Sequence, residues 1–201
     1  MRPGYDAARR ARPPGRGPKV RAVVLAATLT ELTETGYAAL TIENVARRAG
    51  VHKTTVYRRW PNREVLVADA VTELAGTQVP FPDSGDIGAD LRALARSLVR
   101  FLASPAGRAV IAVIRSDAGR IPAVADAQRR FRDRYRQAGP VIARAIARGE
   151  LPPGTDPAEL VRSVIAPIYL RVLVTAEPIG PDIADTAANA ALAAARAGAL
   201  M

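Results

Sequence analysis

Apolar residues recur three and four positions apart along most of this chain, the spacing of helices with one buried stripe, and nothing after residue 85 reads as a strand. The chain is therefore expected to be all-α, with about nine helices. A first helix is predicted from Lys19 to Thr35, with Val20, Val23, Val24, Ala27 and Leu32 inward and Gly36 closing it. Two short helices follow around a break at Gly50-Val51. Asn62 then caps a helix over 63–76, with Val65, Leu66, Ala70, Val71 and Leu74 inward. The stretch TQVPFPDSG at 77–85 is the clearest interruption and marks a boundary between residues 19–77 and 78–201.

Beyond it the pattern predicts a helix over 86–103, then one opened by Ser104-Pro105 and ending near Ser116. A long helical run from Ile121 to Arg148 carries Gly139-Pro140, which should kink or split it. Asp156-Pro157-Ala158-Glu159 reads as a capping box opening a helix to about Ala176, with a second kink at Pro167. Asp182 and Asp185 open an Ala-rich last helix.

Charge sharpens this division. Of a formal net charge of +10, residues 1–63 hold 13 Lys/Arg against 4 Asp/Glu, while the remainder holds 16 against 15. A basic head on a near-neutral body points to nucleic acid. Residues 1–18, rich in Arg, Pro and Gly, are predicted to be a disordered basic arm, either a solvated tail or a contact to DNA. Arg9-Arg10 is followed by Arg12, Pro13-Pro14 and Arg16 rather than by an apolar core, so it does not read as an export signal. No apolar run approaches the ~18 residues of a membrane span, so no membrane partner is expected. The absence of cysteine suits a reducing cytoplasm, where a DNA-bound protein would be nucleoid-associated.

Catalysis finds little support. The only histidine is His52 and there is no cysteine, which leaves no His-based nucleophile system and no zinc site. Asp117, Asp126, Asp133 and Glu150 show no spacing that singles out an acid/base pair. No catalytic residue, metal site or cofactor is expected. The run Arg129, Arg130, Arg132, Arg134, Arg136 winds around most of a helix and reads as a solvated face, with an acidic-effector site or a second DNA contact as alternatives.

The chemistry concentrates in TIENVARRAGVHKTTVYRRWPNR, residues 41–63. Thr41 is placed to cap a helix that carries Val45, Ala46 and Ala49 inward, and Gly50 allows the reversal. The next helix, about Lys53 to Trp60, turns Val56 and Trp60 inward. Lys53, Thr54, Thr55, Arg58 and Arg59 face outward, a short, hydroxylated, cationic face suited to the major groove.

Residues 41–66 resemble the DNA-binding segment of the TetR family of bacterial repressors through Thr41, Val45, Ala46, Ala49-Gly50-Val51, Thr55-Val56-Tyr57, Arg59-Trp60, Asn62-Arg63-Glu64 and Leu66. Arg59 stands where many members have His, and Arg63 where most have Lys; both keep a cation. The resemblance implies a three-helix helix-turn-helix domain and a larger helical ligand-binding and dimerisation domain. Lys53, Thr54, Thr55 and Tyr57 would meet base edges, and Thr41, Arg58, Arg59 and Arg63 would hold phosphates. It further implies a homodimer on a palindromic double-stranded operator, paired through the last two helices with Val161, Ile165, Ile168, Val172, Leu173 and Leu192 at the interface. A small-molecule effector would bind near Phe101, Ile114, Phe131, Tyr135 and Tyr169 and release the repressor. The competing readings are a non-specific architectural DNA-binding protein and a helical interaction module with an incidental helix-turn-helix.

Overall fold

The computed structural model describes residues 16–115 and 138–201. Among the described residues there are nine α-helices and no strand: α1 Arg16–Ala39, α2 Ile42–Arg48, α3 Lys53–Tyr57, α4 Arg63–Gln78, α5 Ile87–Ala103, α6 Pro105–Arg115, α7 Gly139–Ala147, α8 Pro157–Leu170 and α9 Pro181–Arg196. Residues 1–15 of the basic arm, the arginine run at 129–136, Phe131 and Tyr135 lie outside the described residues. Arg16, Gly17 and Pro18, expected in the arm, are the first turn of α1.

Helix starts fall where the capping chemistry puts them. Thr41 accepts from the Asn44 N–H at 3.2 Å, Asn62 from Val65 at 2.9 Å, Asp86 from Ala89 at 2.8 Å and Ser104 from Gly107 at 3.0 Å. The Ala89 N–H holds the Asp86 carboxyl below its ordinary range. Asp156 caps α8, but the expected capping box does not form. Its own N–H donates to the Leu200 carbonyl at 2.8 Å, and Glu159 pairs instead with Arg162. Asp185 likewise serves no cap; Arg96 on α5 claims it at 2.6 Å, tying α9 to α5.

Two cores result. The first joins α1–α4 through Val24, Leu32, Leu40, Val45, Val56, Trp60 and Leu66. The buried stripe of α1 departs from expectation: Val23 is 49% exposed, and Thr28 and Glu31 are buried in its stead. Each polar group is satisfied, Thr28 by the Val24 carbonyl and Glu31 by Arg48, so a stripe with polar members can still face inward. The second core surrounds α5, which packs on α6, α7, α8 and α9. Helix α6 belongs to both: Val113 lies in the first core, while Val110 and Ile111 lie in the second.

The α5–α6 junction bends by 80° at Ser104. Gly107 makes that bend possible, because a Cβ there would lie 1.9 Å from the Phe101 carbonyl oxygen. Helix α8 continues through Pro167, and the irregularity falls later, in a π-helical turn at Arg171–Thr175 that ends in left-handed Ala176 (φ +53°). Helix α7 starts at Gly139 with Pro140 in its first turn, where the missing N–H has no helical partner to lose.

Gly107→Ala is expected to lower stability by about 1–3 kcal/mol as the bend is forced open. Gly139→Ala, whose methyl would meet nothing within 4 Å, is expected to change it by less than about 0.5 kcal/mol. Urea unfolding of the two variants reads the contrast, and equal midpoints would remove the close-packing argument.

Candidate nucleic-acid interface

Helix α2 ends in a hydrogen-bonded turn that sets the direction of α3. The Val51 N–H donates to Ala46 O at 3.0 Å and the Gly50 N–H to Arg47 O at 3.2 Å, with Gly50 at φ +64°. His52 then caps α3: the Thr54 N–H donates to its Nδ1 at 3.5 Å, and the Thr54 hydroxyl lies 2.9 Å from the same atom. Only Lys53–Tyr57 are helical, shorter than the expected run to Trp60, and Arg58 closes the helix onto the Thr54 carbonyl.

Val56 and Trp60 are buried as expected. On the other side Lys53, Thr54, Tyr57, Arg58 and Arg59 are exposed and Thr55 is half-buried. Lys53, Arg58 and Arg59 form no ion pair among the described residues. Arg59 stacks over the Trp60 ring at 5.5 Å. The Tyr57 hydroxyl donates to Glu43 at 3.1 Å, and that bond raises the tyrosine's pKa. A groove of about 290 Å³ opens beside this face, lined by Gly17, Val20, Arg21, Thr55, Arg58, Arg59 and Trp60.

Arg63 is placed differently from the other cations. It pairs with Glu64 at 3.1 Å, stacks on Tyr37 at 4.8 Å and donates to the Ala38 and Leu40 carbonyls at 3.4 and 3.5 Å. Those carbonyls and Glu64 explain a cation at the start of α4, where the helix dipole alone would oppose it. Thr41 is exposed, its oxygen already serving as a cap acceptor and its O–H available to donate.

Sequence reasoning missed the residues that hold this face in place. The Trp60 indole N–H donates to Asp69 at 3.0 Å, and the other oxygen of Asp69 accepts from Arg21 at 3.0 Å. Arg21 also reaches Glu73. A buried Trp needs an acceptor, so Trp60 was itself the clue that a polar partner lay within reach. Arg48 similarly bridges Glu31 and Glu34, joining α2 to α1.

The expected sites of the second domain move. Val161, Ile165, Ile168 and Leu192 are buried within the single chain, because the wide stripe of α8 packs on α5, α7 and α9. They are not free to meet a partner. Val172 and Leu173 are half-buried against the same core, while Leu170 and Val174 are 53% and 73% exposed. Phe101 is a core residue, Ile114 is 39% exposed and Tyr169 is half-buried. A cavity of about 270 Å³ does open in this domain, and none of these three lines it; its walls come from Leu102, Arg108, Ile111, Ala112, Arg115 and Val172. Among the described residues no cluster of His, Asp and Glu could hold a metal ion, and no single helix is long and apolar enough to cross a membrane.

Two family models match the chain. Residues 24–70 match the family described as bacterial regulatory proteins, tetR family, and residues 81–191 match the tetracyclin repressor-like C-terminal domain. The chain is 34% identical to the HTH-type transcriptional regulator AqdR of Rhodococcus erythropolis, over 84% of this chain and 79% of that one. It is 30% identical to the uncharacterized HTH-type transcriptional regulator YdeS of Bacillus subtilis, over 83% and 85%. The crystal structure of the TetR family transcription regulator SCO0332 superposes with a TM-score of 0.71 at 31% identity, covering 87% of this chain and 97% of that one.

Asp69→Ala is expected to cost about 1–3 kcal/mol, because it leaves the Trp60 N–H without its acceptor and Arg21 with one partner fewer. Glu73→Ala removes only the more exposed arm of the pair and is expected to cost under about 1 kcal/mol. Denaturant unfolding of both variants checks the order; the reverse order would show that Asp69 does not anchor the recognition helix.

Proposed function

The chain belongs to the TetR family and is a DNA-binding transcriptional regulator, and from that premise we propose that it is a dimeric repressor released from its operator by a small molecule. The observation that carries the DNA-binding half is the exposed face of α3 and the turn after it, where Lys53, Arg58 and Arg59 form no ion pair among the described residues while Val56 and Trp60 on the other side are fixed in a core. Lys53, Thr54, Thr55 and Tyr57 read bases; Thr41, Arg58 and Arg59 hold phosphates and set register. Arg63 acts chiefly by fixing the turn before Thr41, and so the Thr41 cap, in position for a phosphate. The arginine-lined groove beside α3 extends the phosphate-binding surface toward the start of α1.

Release follows from α6, which has one side in the DNA-binding core and another along the 270 Å³ cavity of the second domain. A ligand that shifts α6 would move the head with it. The dimer surface lies on exposed rather than buried positions: Ala166, Pro167, Leu170 and Val174 after α8 begins, and Thr186, Ala190, Ala193 and Ala197 along α9. The small residues of α9 allow close approach of a second copy. One five-residue recognition helix contacts too few base pairs for specific binding in a genome, whereas a two-fold pair engages successive major grooves about 34–36 Å apart.

Binding to operator and scrambled duplexes across a salt series tests the contact roles. Lys53→Ala is expected to weaken operator binding by about 1–3 kcal/mol with little effect on the scrambled duplex. Arg59→Ala is expected to weaken both alike and flatten the salt dependence by about 0.9 of a unit of slope. Equal losses on both duplexes for Lys53→Ala would remove it from base reading, and uniform protection of all DNA would replace a repressor with an architectural protein.

For the dimer, Leu170→Glu with Val174→Glu is expected to give monomers in sedimentation and to lower operator affinity toward the non-specific level, roughly a thousandfold or more. A dimer that survives both substitutions would place the interface elsewhere.

A further inference from the structure

The cavity in the second domain has an uneven lining. Leu102 at the end of α5, Ile111 and Ala112 on α6, and Val172 in the π-helical turn form apolar walls, and Arg108 and Arg115 supply two guanidinium groups. Among the described residues no carboxylate lines the cavity, and neither arginine is in an ion pair. Five other arginines of this domain are matched, Arg96 with Asp185, Arg144 with Asp83, Arg148 with Glu150, Arg162 with Glu159 and Arg171 with Glu177, while Arg100 and Arg196 bond instead to the Ser97 hydroxyl and the Glu150 carbonyl.

The order along α6 matters as much as the composition. Arg108, Ile111, Ala112 and Arg115 stand at i, i+3, i+4 and i+7, so they share one face of the helix. The two cations bracket an apolar floor, with their Cα atoms about 10 Å apart at 1.5 Å of rise per residue. Arg108 lies in the first turn of α6, where the helix dipole opposes a cation. One of its nitrogens donates to the Ala103 carbonyl at 2.5 Å, which fixes the group at the cavity edge and leaves other N–H donors for a ligand. A neutral apolar effector would gain nothing from either guanidinium, while a small inorganic anion would waste the apolar walls.

Taking the effector reading above as its basis, we propose that this cavity binds an amphipathic organic anion. Its apolar body lies on Ile111 and Ala112 between Leu102 and Val172, and its acid group is held by Arg108 and Arg115. Occupancy would join α6, which reaches into the DNA-binding core, to the π-helical turn next to exposed Leu170 and Val174.

The test uses two fluorescent probes with the same aromatic body, anilinonaphthalene sulfonate and the uncharged phenylnaphthylamine, titrated into the full-length protein. The sulfonate is expected to bind once per chain and at least about tenfold more tightly than the neutral probe, the scale of one charge-assisted hydrogen bond. Arg108→Gln and Arg115→Gln are each expected to weaken the sulfonate about tenfold and leave the neutral probe unchanged. Ala112→Trp, which fills the floor, is expected to displace both probes while helical circular dichroism stays at the wild-type level. Because Arg108 also bonds to Ala103, Arg115→Gln serves as the variant free of that structural contact. Sulfonate binding that Arg115→Gln and Ala112→Trp leave intact would overturn the proposal, as would equal affinity for the two probes. Operator affinity measured in the same samples separates the two readings. Charge-dependent binding with no effect on operator affinity keeps the anion site and removes the release mechanism; release by uncharged compounds alone keeps the mechanism and removes the anion site.

Discussion

A helix of five residues cannot hold its own shape in water, since isolated helices shorter than roughly 12–15 residues are marginal even in favourable sequences. Helix α3 is such a helix, and it carries the face proposed to read DNA. Its conformation must therefore be imposed from outside, and much of the head is organised to do so. The Gly50 turn sets its entry, His52 accepts from the Thr54 N–H in its first turn, and Val56 and Trp60 fix its inner side. Asp69 then joins Trp60 to α4 and, through Arg21, to α1. Among the described residues Lys53, Arg58 and Arg59 form no ion pair, which leaves their charges available for the proposed contacts.

The same economy of contacts gives the head its link to the body. Val113 and Ala109 of α6 pack with the first core, and Val110 and Ile111 pack with the second, so one helix is shared between two hydrophobic units. Close-packed interiors transmit displacement rather than absorb it. A shift of α6 against α5 at the Gly107 bend is thereby felt along α1, which packs on both α6 and α4.

Much of this was legible in the sequence because it rests on local rules. Caps at Thr41, Asn62, Asp86 and Ser104, the reversal at Gly50, and the inward Val56 and Trp60 all depend on residues within a few positions of one another. What was not legible depends on partners far along the chain. Glu31 looks like a surface residue until Arg48, 17 positions later, is seen to pair with it. Val161, Ile165 and Ile168 on α8, expected at a subunit interface, are instead buried against α5, α7 and α9 of the same chain. Arg63 looked like a free cation because its stacking partner Tyr37 and its acceptors Ala38 and Leu40 precede it by more than twenty residues. Gly107 gave no signal at all, since its need arises from the backbone of Phe101 across a bend that no periodicity reveals.

The pairing of charges explains how a protein of net charge +10 presents that charge selectively. In the body, Arg96, Arg144, Arg148, Arg162 and Arg171 meet carboxylates, and residues 64–201 come close to neutrality. In the head, the carboxylates that pair do so with structural cations: Glu31 and Glu34 with Arg48, Asp69 and Glu73 with Arg21, Glu64 with Arg63. Lys53, Arg58 and Arg59 keep their charge for solvent. Glu43 is the acidic exception on this face, and Tyr57 occupies it with a hydrogen bond rather than a cation, so no positive charge is cancelled there. At physiological salt an exposed charge is felt over only about 8 Å. Under the proposed contacts, phosphates would meet the field of this face rather than that of the whole molecule, and encounter with DNA would be biased toward the orientation in which α3 can enter the groove.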